Sequence, residues 1–277
     1  MLSWNRISFA LLLVVSVVLA VPLQAQNTEM VQVGPPPLHR ADPPAPGATA
    51  EELEERGDRL RTDKNYLDAV DYYQAALQKG PATSNLLNKI GICQMMLQRF
   101  KESKKALERA IVADRNHADA YNNLGVIYYE LAISRHQTGN FNKAIKMYDK
   151  AIALSSDSAS YYNNRGAAYF AKRKYDAATN DYAIALKLDP DIFERTSHAG
   201  VQAQLPSPED RAHYDYVLAK LYARVGIAER SLHYLKKAME DGYKEIANVY
   251  KDNEFAEIRK DPRFSELMAA KTVSIPE

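Results

Sequence analysis

Two stretches of this chain are near copies: YNNLGVIYY, from Tyr121 to Tyr129, and YNNRGAAYF, from Tyr162 to Phe170, offset by forty-one residues. Repetition at a fixed interval constrains a fold more tightly than composition does. Each copy must form the same small unit, and a unit of that size buries its apolar face only against its neighbours. Glycines set the register. Gly57 and Gly91 stand in the same setting as Gly125 and Gly166, and the three intervals are thirty-four, thirty-four and forty-one residues.

Other positions keep the same frame. After Gly57 come Ala69, Tyr73, Ala76 and Pro81; after Gly166 come Tyr169, Ala178, Tyr182, Ala185 and Pro190. The second unit is looser, with Ser103, Leu107 and Ala110 in the equivalent places and Arg115 in place of proline. A fifth unit lacks the glycine but carries Ala219, Tyr222, Gly226, Leu235 and Ala238. Small residues suit a close crossing of two helices, aromatics the gap to the next unit, and proline the end of the second helix.

The thirty-four-residue pattern resembles the tetratricopeptide (TPR) family over residues 50–245. That resemblance implies an all-α fold, a right-handed superhelical solenoid of helix–turn–helix units at about 50–83, 84–117, 118–158, 159–192 and 212–245. The segment DNEFAEIRKDPRF, Asp252 to Phe264, resembles the closing segment of some bacterial TPR proteins. Residues 246–277 are therefore expected to form a C-terminal helical cap, with Phe255, Ile258, Phe264 and Leu267 covering the apolar face that a terminal repeat exposes.

The interval of forty-one implies seven inserted residues in the third unit. Taking Gly139-Asn140-Phe141 as the turn between paired helices places them at Glu130–His136, close to two helical turns. The apolar stripe Tyr121, Leu124, Tyr128, Leu131, Ala132 continues in phase, so the first helix of this unit is expected to overshoot its neighbours. Residues 193–211 read as an irregular loop that covers the inserted helix, drapes into the groove, or only respaces unit five. Ser207-Pro208-Glu209-Asp210 has the order of an N-cap, a first-turn proline and acids at a helix start.

The N-terminus follows different rules. One positive charge at Arg6, a largely apolar run from Ile7 to Val21 and a small-residue site at Leu23-Gln24-Ala25 predict a signal peptide, residues 1–25, cleaved near Ala25. The absence of an Asn-x-Ser/Thr sequon favours a bacterial periplasm. The alternative is a membrane anchor formed by residues 7–21, for which the run is short. Residues 26–49, with GPPPLHRADPPAPG, read as a Pro-rich disordered tether, because proline removes a donor and fixes φ.

The chain carries 36 Lys and Arg against 35 Asp and Glu, a balance that asks for neither nucleic acid nor an anionic membrane. The single cysteine, Cys93, excludes an internal disulfide, and its place in a packed helix predicts an inert thiol. The six histidines have no metal-ligand spacing, and no catalytic or phosphate-binding motif is present. The expectation is a non-enzymatic module with no cofactor and no metal.

The resemblance also implies a concave groove lined by first helices. Its inward positions would include Asn88, Lys89, Asn122, Asn123, Asn163 and Asn164, with Met95, Tyr129 and Phe170 further along. Asn offers one acceptor and two donors, so a ladder of them can bond the backbone of an extended peptide. Asn here is also common in repeats of any purpose, and the pairs carry either reading. Glu54, Glu55 and Asp58 make one end of the groove acidic, and the family's Lys-and-Asn carboxylate clamp is not matched. The function expected is binding of a protein or peptide by an adaptor or assembly factor. The alternative is a membrane-associated structural or secretion-machinery subunit that self-associates.

Overall fold

The computed structural model describes residues 38–194 and 208–270. Among the described residues the fold is all-α. Five helix pairs follow one another: α1 (Ala50–Thr62) with α2 (Tyr66–Lys79), α3 (Ser84–Met96) with α4 (Phe100–Ala113), α5 (Ala118–Ser134) with α6 (Gly139–Leu154), α7 (Ala159–Ala171) with α8 (Tyr175–Leu188), and α9 (Pro208–Arg224) with α10 (Ala228–Glu240). Each helix packs mainly on its partner, and the second helices α2, α4, α6 and α8 pack next on the first helix of the following pair, which makes the array a solenoid.

Local chemistry fixes the boundaries. Thr49 and Glu52 form a reciprocal capping box at the start of α1, and Thr83 accepts from the Leu86 amide to start α3. Inside each pair the chain reverses through one left-handed residue: Lys64 (φ 61°), Gln98 (φ 59°), His136 (φ 50°), Arg173 (φ 58°) and Gly226 (φ 79°). Only the fifth turn uses the residue that takes this conformation without steric cost. In four of the turns the following amide closes a wide ring to the first helix, as from Asn65 N to Leu60 O at 2.8 Å.

The glycines allow close approach. A Cβ on Gly125 would stand 2.6 Å from the ring of Tyr148, and one on Gly166 would stand 2.6 Å from that of Tyr182. Both rings are fully buried, so neither can move aside.

The third pair corrects the placement of the insertion. α5 has 17 residues where α1, α3 and α7 have 13, α6 has 16 where α2, α4 and α8 have 14, and the turn has four residues instead of three. Four of the seven residues thus lengthen α5, one the turn and two α6. The overshoot is about one helical turn, near 6 Å, rather than two. Gly139-Asn140-Phe141 is the first turn of α6, and the reversal sits at His136.

The tether is also corrected over its second half. Residues 38–49 lie along α2: His39 Nδ1 and the Arg40 amide both bond the Asp68 carboxylate at 2.9 Å, Tyr72 donates to Asp42 O, and Lys79 donates to Pro46 O and Ala48 O. Asp68 is buried; burial raises its pKa, but the Arg40 amide and His39 outweigh that and hold it below the usual range. Residues 26–37 lie outside the described residues, as do the segment 1–25 and most of the 193–211 loop.

That loop enters with Phe193, whose ring stands 5.8 Å from Tyr182 and 6.4 Å from Tyr214 and Tyr222, a wedge between the fourth and fifth pairs. α9 then starts at Pro208, within the range expected to be loop. Three 3-10 turns (Ile246–Tyr250, Asn253–Phe255, Ile258–Lys260) and α11 (Pro262–Ala269) follow α10. Val249, Phe255, Ile258 and Phe264 are buried in the cluster built on α9 and α10, with Leu267 partly buried.

Candidate peptide-binding groove

The first helices form one layer. α3 touches α5 and α5 touches α7, whereas no two second helices pack as closely, so the first helices are the inner side of the curve. Residues four apart share a face. Along α5 that row is Asn122, Val126 and Glu130; on α3 it is Asn88, Ile92 and Met96, and on α7 Asn163, Ala167 and Ala171.

A hydrogen-bonded relay crosses this layer. Asn164 Nδ2 donates to Asn122 Oδ1 at 3.0 Å, Asn122 Nδ2 to Asn123 Oδ1 at 3.3 Å, and Asn123 Nδ2 to Asn88 Oδ1 at 2.9 Å. Two of the three links join one repeat to the next. Lys89 makes the same step with a charge: its ammonium bonds Glu54 at 2.8 Å and Asp58 at 2.7 Å. Burial pulls the Lys89 pKa down, but those two carboxylates outweigh it and hold the group above its ordinary value. The next step fails because Val217 stands where the donor would be, and Asn163 is left with no hydrogen-bond partner among the described residues.

The ring at the Tyr73 position repeats the theme. Tyr73 donates to Asp58 at 2.7 Å, and the Lys89 ammonium sits 5.9 Å over the ring. The equivalent hydroxyls of Tyr148 and Tyr182 are buried without a partner, because the residues matching Asp58 are Val126 and Ala167. Glu130, at the end of the α5 row, is half-buried with no ion pair on its carboxylate among the described residues, and burial raises its pKa to about 7. Cys93 is fully buried, and burial pushes its thiol up to about 12, so it is not a nucleophile at neutral pH. Among the described residues no group of His, Cys, Asp and Glu could hold a metal ion, and no helix is long and apolar enough to cross a membrane.

A family model described as TPR repeat matches residues 134–173, and two described as tetratricopeptide repeat match residues 95–131 and 159–192. The repeats that these models match are tetratricopeptide repeats. Among solved structures, a thermophilic TPR protein of Thermus thermophilus aligns over 79% of this chain and 98% of its own, at 19% identity and TM-score 0.50. MamA from Desulfovibrio magneticus RS-1 aligns over 75% of this chain and 100% of its own, at 16% identity and TM-score 0.48. The first likeness is one of fold. No curated protein matches this chain.

Within the TPR array the expected groove residues are placed differently from the expectation. Asn88, Asn122, Asn123, Asn163 and Asn164 are all buried, and four of them satisfy one another. The idea of a ladder open to a ligand is corrected: these amides join repeats. Met95, Tyr129 and Phe170 are core, with Tyr129 edge-on to Phe141 at 5.5 Å and Phe170 edge-on to Tyr175 at 5.1 Å. Lys89 is committed to unit one. The TPR groove instead shows Met96, 45% exposed, and Glu130, neither of which stood out by residue type. A signal existed in their spacing: each lies eight residues beyond the Asn that stands three before the repeat glycine, Asn88 and Asn122.

Proposed function

We propose that the protein is a non-enzymatic protein–protein interaction module, an adaptor or assembly factor that holds an extended segment of its partner against the inner layer. One observation carries this: the relay ties up four of the buried asparagines of the inner helices, leaving Met96, Glu130 and Asn163 as side chains without internal bonds on the inner row. Met96 supports an adaptable apolar contact. The N-terminal pattern supports action in an exported compartment, a bacterial periplasm, after cleavage near Ala25.

Two measurements test the reading. Intact-mass analysis of the exported protein is expected to show a start at Gln26; a Met1 form held in the membrane fraction contradicts cleavage. A photo-crosslinking residue at Met96 is expected to capture the partner from an envelope extract, while the same residue at Val112, an 81% exposed site on α4, does not. Capture from Val112 and not from Met96 contradicts the inner-face reading.

A further inference from the structure

The strap of residues 38–48 meets α2 through side chains that bond its backbone. Asp68, Tyr72 and Lys79 share one face of that helix. Asp68 accepts from the Arg40 amide at 2.9 Å, Tyr72 donates to Asp42 O at 3.0 Å, and Lys79 donates to Pro46 O and Ala48 O. One strap side chain is met as well: His39 Nδ1 stands 2.9 Å from Asp68 and 3.4 Å from Asp71. The repeat does not require this set. Ala106 and Ala113 take the places of Tyr72 and Lys79 in α4, and Ala177 and Leu188 those of Asp68 and Lys79 in α8.

The strap is lightly held. None of residues 38–48 is buried, and only Ala41, Pro44 and Ala48 are half-buried. Asp68 is buried, and among the described residues its carboxylate takes its hydrogen bonds from the strap alone. A departing strap leaves an acid that needs another donor.

We infer that this face of α2 is a second binding site, for an extended, proline-containing segment of a partner protein with Arg at the position of His39, and that the strap is the resident occupant which this segment displaces. Bonds to backbone hold such a segment whatever its sequence, and proline keeps it extended. The head position selects. Two carboxylates face one imidazole there, and a guanidinium presents more donors in one plane, each bond charge-assisted. That gain offsets the advantage that a covalent tether gives the strap. The site stands apart from the groove, which lies on the first helices, so crosslinking from Met96 does not bear on it.

The test uses the chain from Gln26, the same chain with residues 38–44 replaced by a Gly-Ser repeat, and two labelled peptides: residues 38–48, LHRADPPAPGA, and the same peptide carrying His39→Arg. By fluorescence anisotropy the substituted peptide is expected to bind the replaced chain about tenfold tighter than the native one. Asp68→Asn in the replaced chain is expected to erase that difference. In the isotopically labelled, unmodified chain, excess substituted peptide is expected to release the Arg40 amide to hydrogen exchange, a readout that stands whether or not the replaced chain folds. Three results overturn the inference: no binding by a replaced chain of unchanged helicity, a preference that survives Asp68→Asn, or an Arg40 amide equally protected with and without the peptide. A dimer of the unmodified chain that Asp68→Asn abolishes gives the face to a second copy and overturns the partner reading.

Discussion

Asn164 Nδ2 lies 3.0 Å from Asn122 Oδ1, across the boundary between the third and fourth repeats. Both side chains are buried, and the bond repeats one repeat earlier between Asn123 and Asn88. Neighbouring TPR units are thus joined by a polar seam as well as by apolar contact.

The seam gives a graded expectation. Asn122→Ala removes an acceptor from Asn164 and a donor from Asn123, leaving two buried polar groups unpaired, and is expected to cost about 2–4 kcal/mol in urea unfolding. Asn163→Ala, equally buried but without a partner, is expected to cost under about 1 kcal/mol. Equal losses would show that the relay contributes nothing beyond packing.

The close crossings make a second pair. Gly166→Ala places a methyl 2.6 Å from the immobile ring of Tyr182, whereas a methyl at Gly139 meets nothing within 4 Å. The first is expected to lose about 2 kcal/mol or more, and the second to be neutral or slightly stabilising. Thermal melts read both.

The strap over α2 makes Asp68 depend on residues far before it. A chain starting at Thr49 is expected to unfold at lower urea than one starting at Leu38. Asp68→Asn is expected to be costly in the longer chain and nearly harmless in the shorter, because Arg40 and His39 are gone. Asp68 has its folded pKa lowered, so its contribution is present above the ordinary carboxylate value and lost as pH falls through the folded one. The difference between the two chains should shrink in acid; a constant difference across pH would contradict this account.

Glu130 and Asp215 act with the opposite sign. Burial raises the first to about 7 and the second to about 6, the latter against the nearby positive charge of Lys237 and helped by the negative charge of Asp241. An acid with a raised folded pKa binds its proton more tightly when folded. Stability from these two is full below their ordinary values and falls as pH rises toward 6 and 7. Glu130→Gln with Asp215→Asn is expected to flatten the decline in melting temperature over that window. An unchanged slope would place its origin elsewhere.

The repeat was legible because its determinants are local and recur: Gly125 and Gly166 meet Tyr148 and Tyr182 through a crossing that tolerates no Cβ. The exposed bonding role given to the asparagines was not legible. Whether Asn123 points at solvent or at Asn88 depends on the rotation of one repeat against the next, which spacing leaves open. The insertion shows a similar degeneracy, since any split of seven residues among α5, the turn and α6 gives the same interval from Gly125 to Ala144. Proline content excluded helix and sheet for residues 38–49, but an extended chain can be docked as well as free. Glu130 was hidden because a lone Glu on a helix usually reads as solvated surface; its raised pKa comes from burial, which spacing does not show.

The central claim is that partners are held on the inner layer, and backbone hydrogen exchange measures that most directly. With the captured partner bound to the chain from Gln26, added protection is expected on α3, α5 and α7, strongest near Met96 and Glu130. The outer helices α4, α6 and α8 are expected to be unchanged. Protection confined to those outer helices, with α3 and α5 exchanging as in the free protein, would contradict the account.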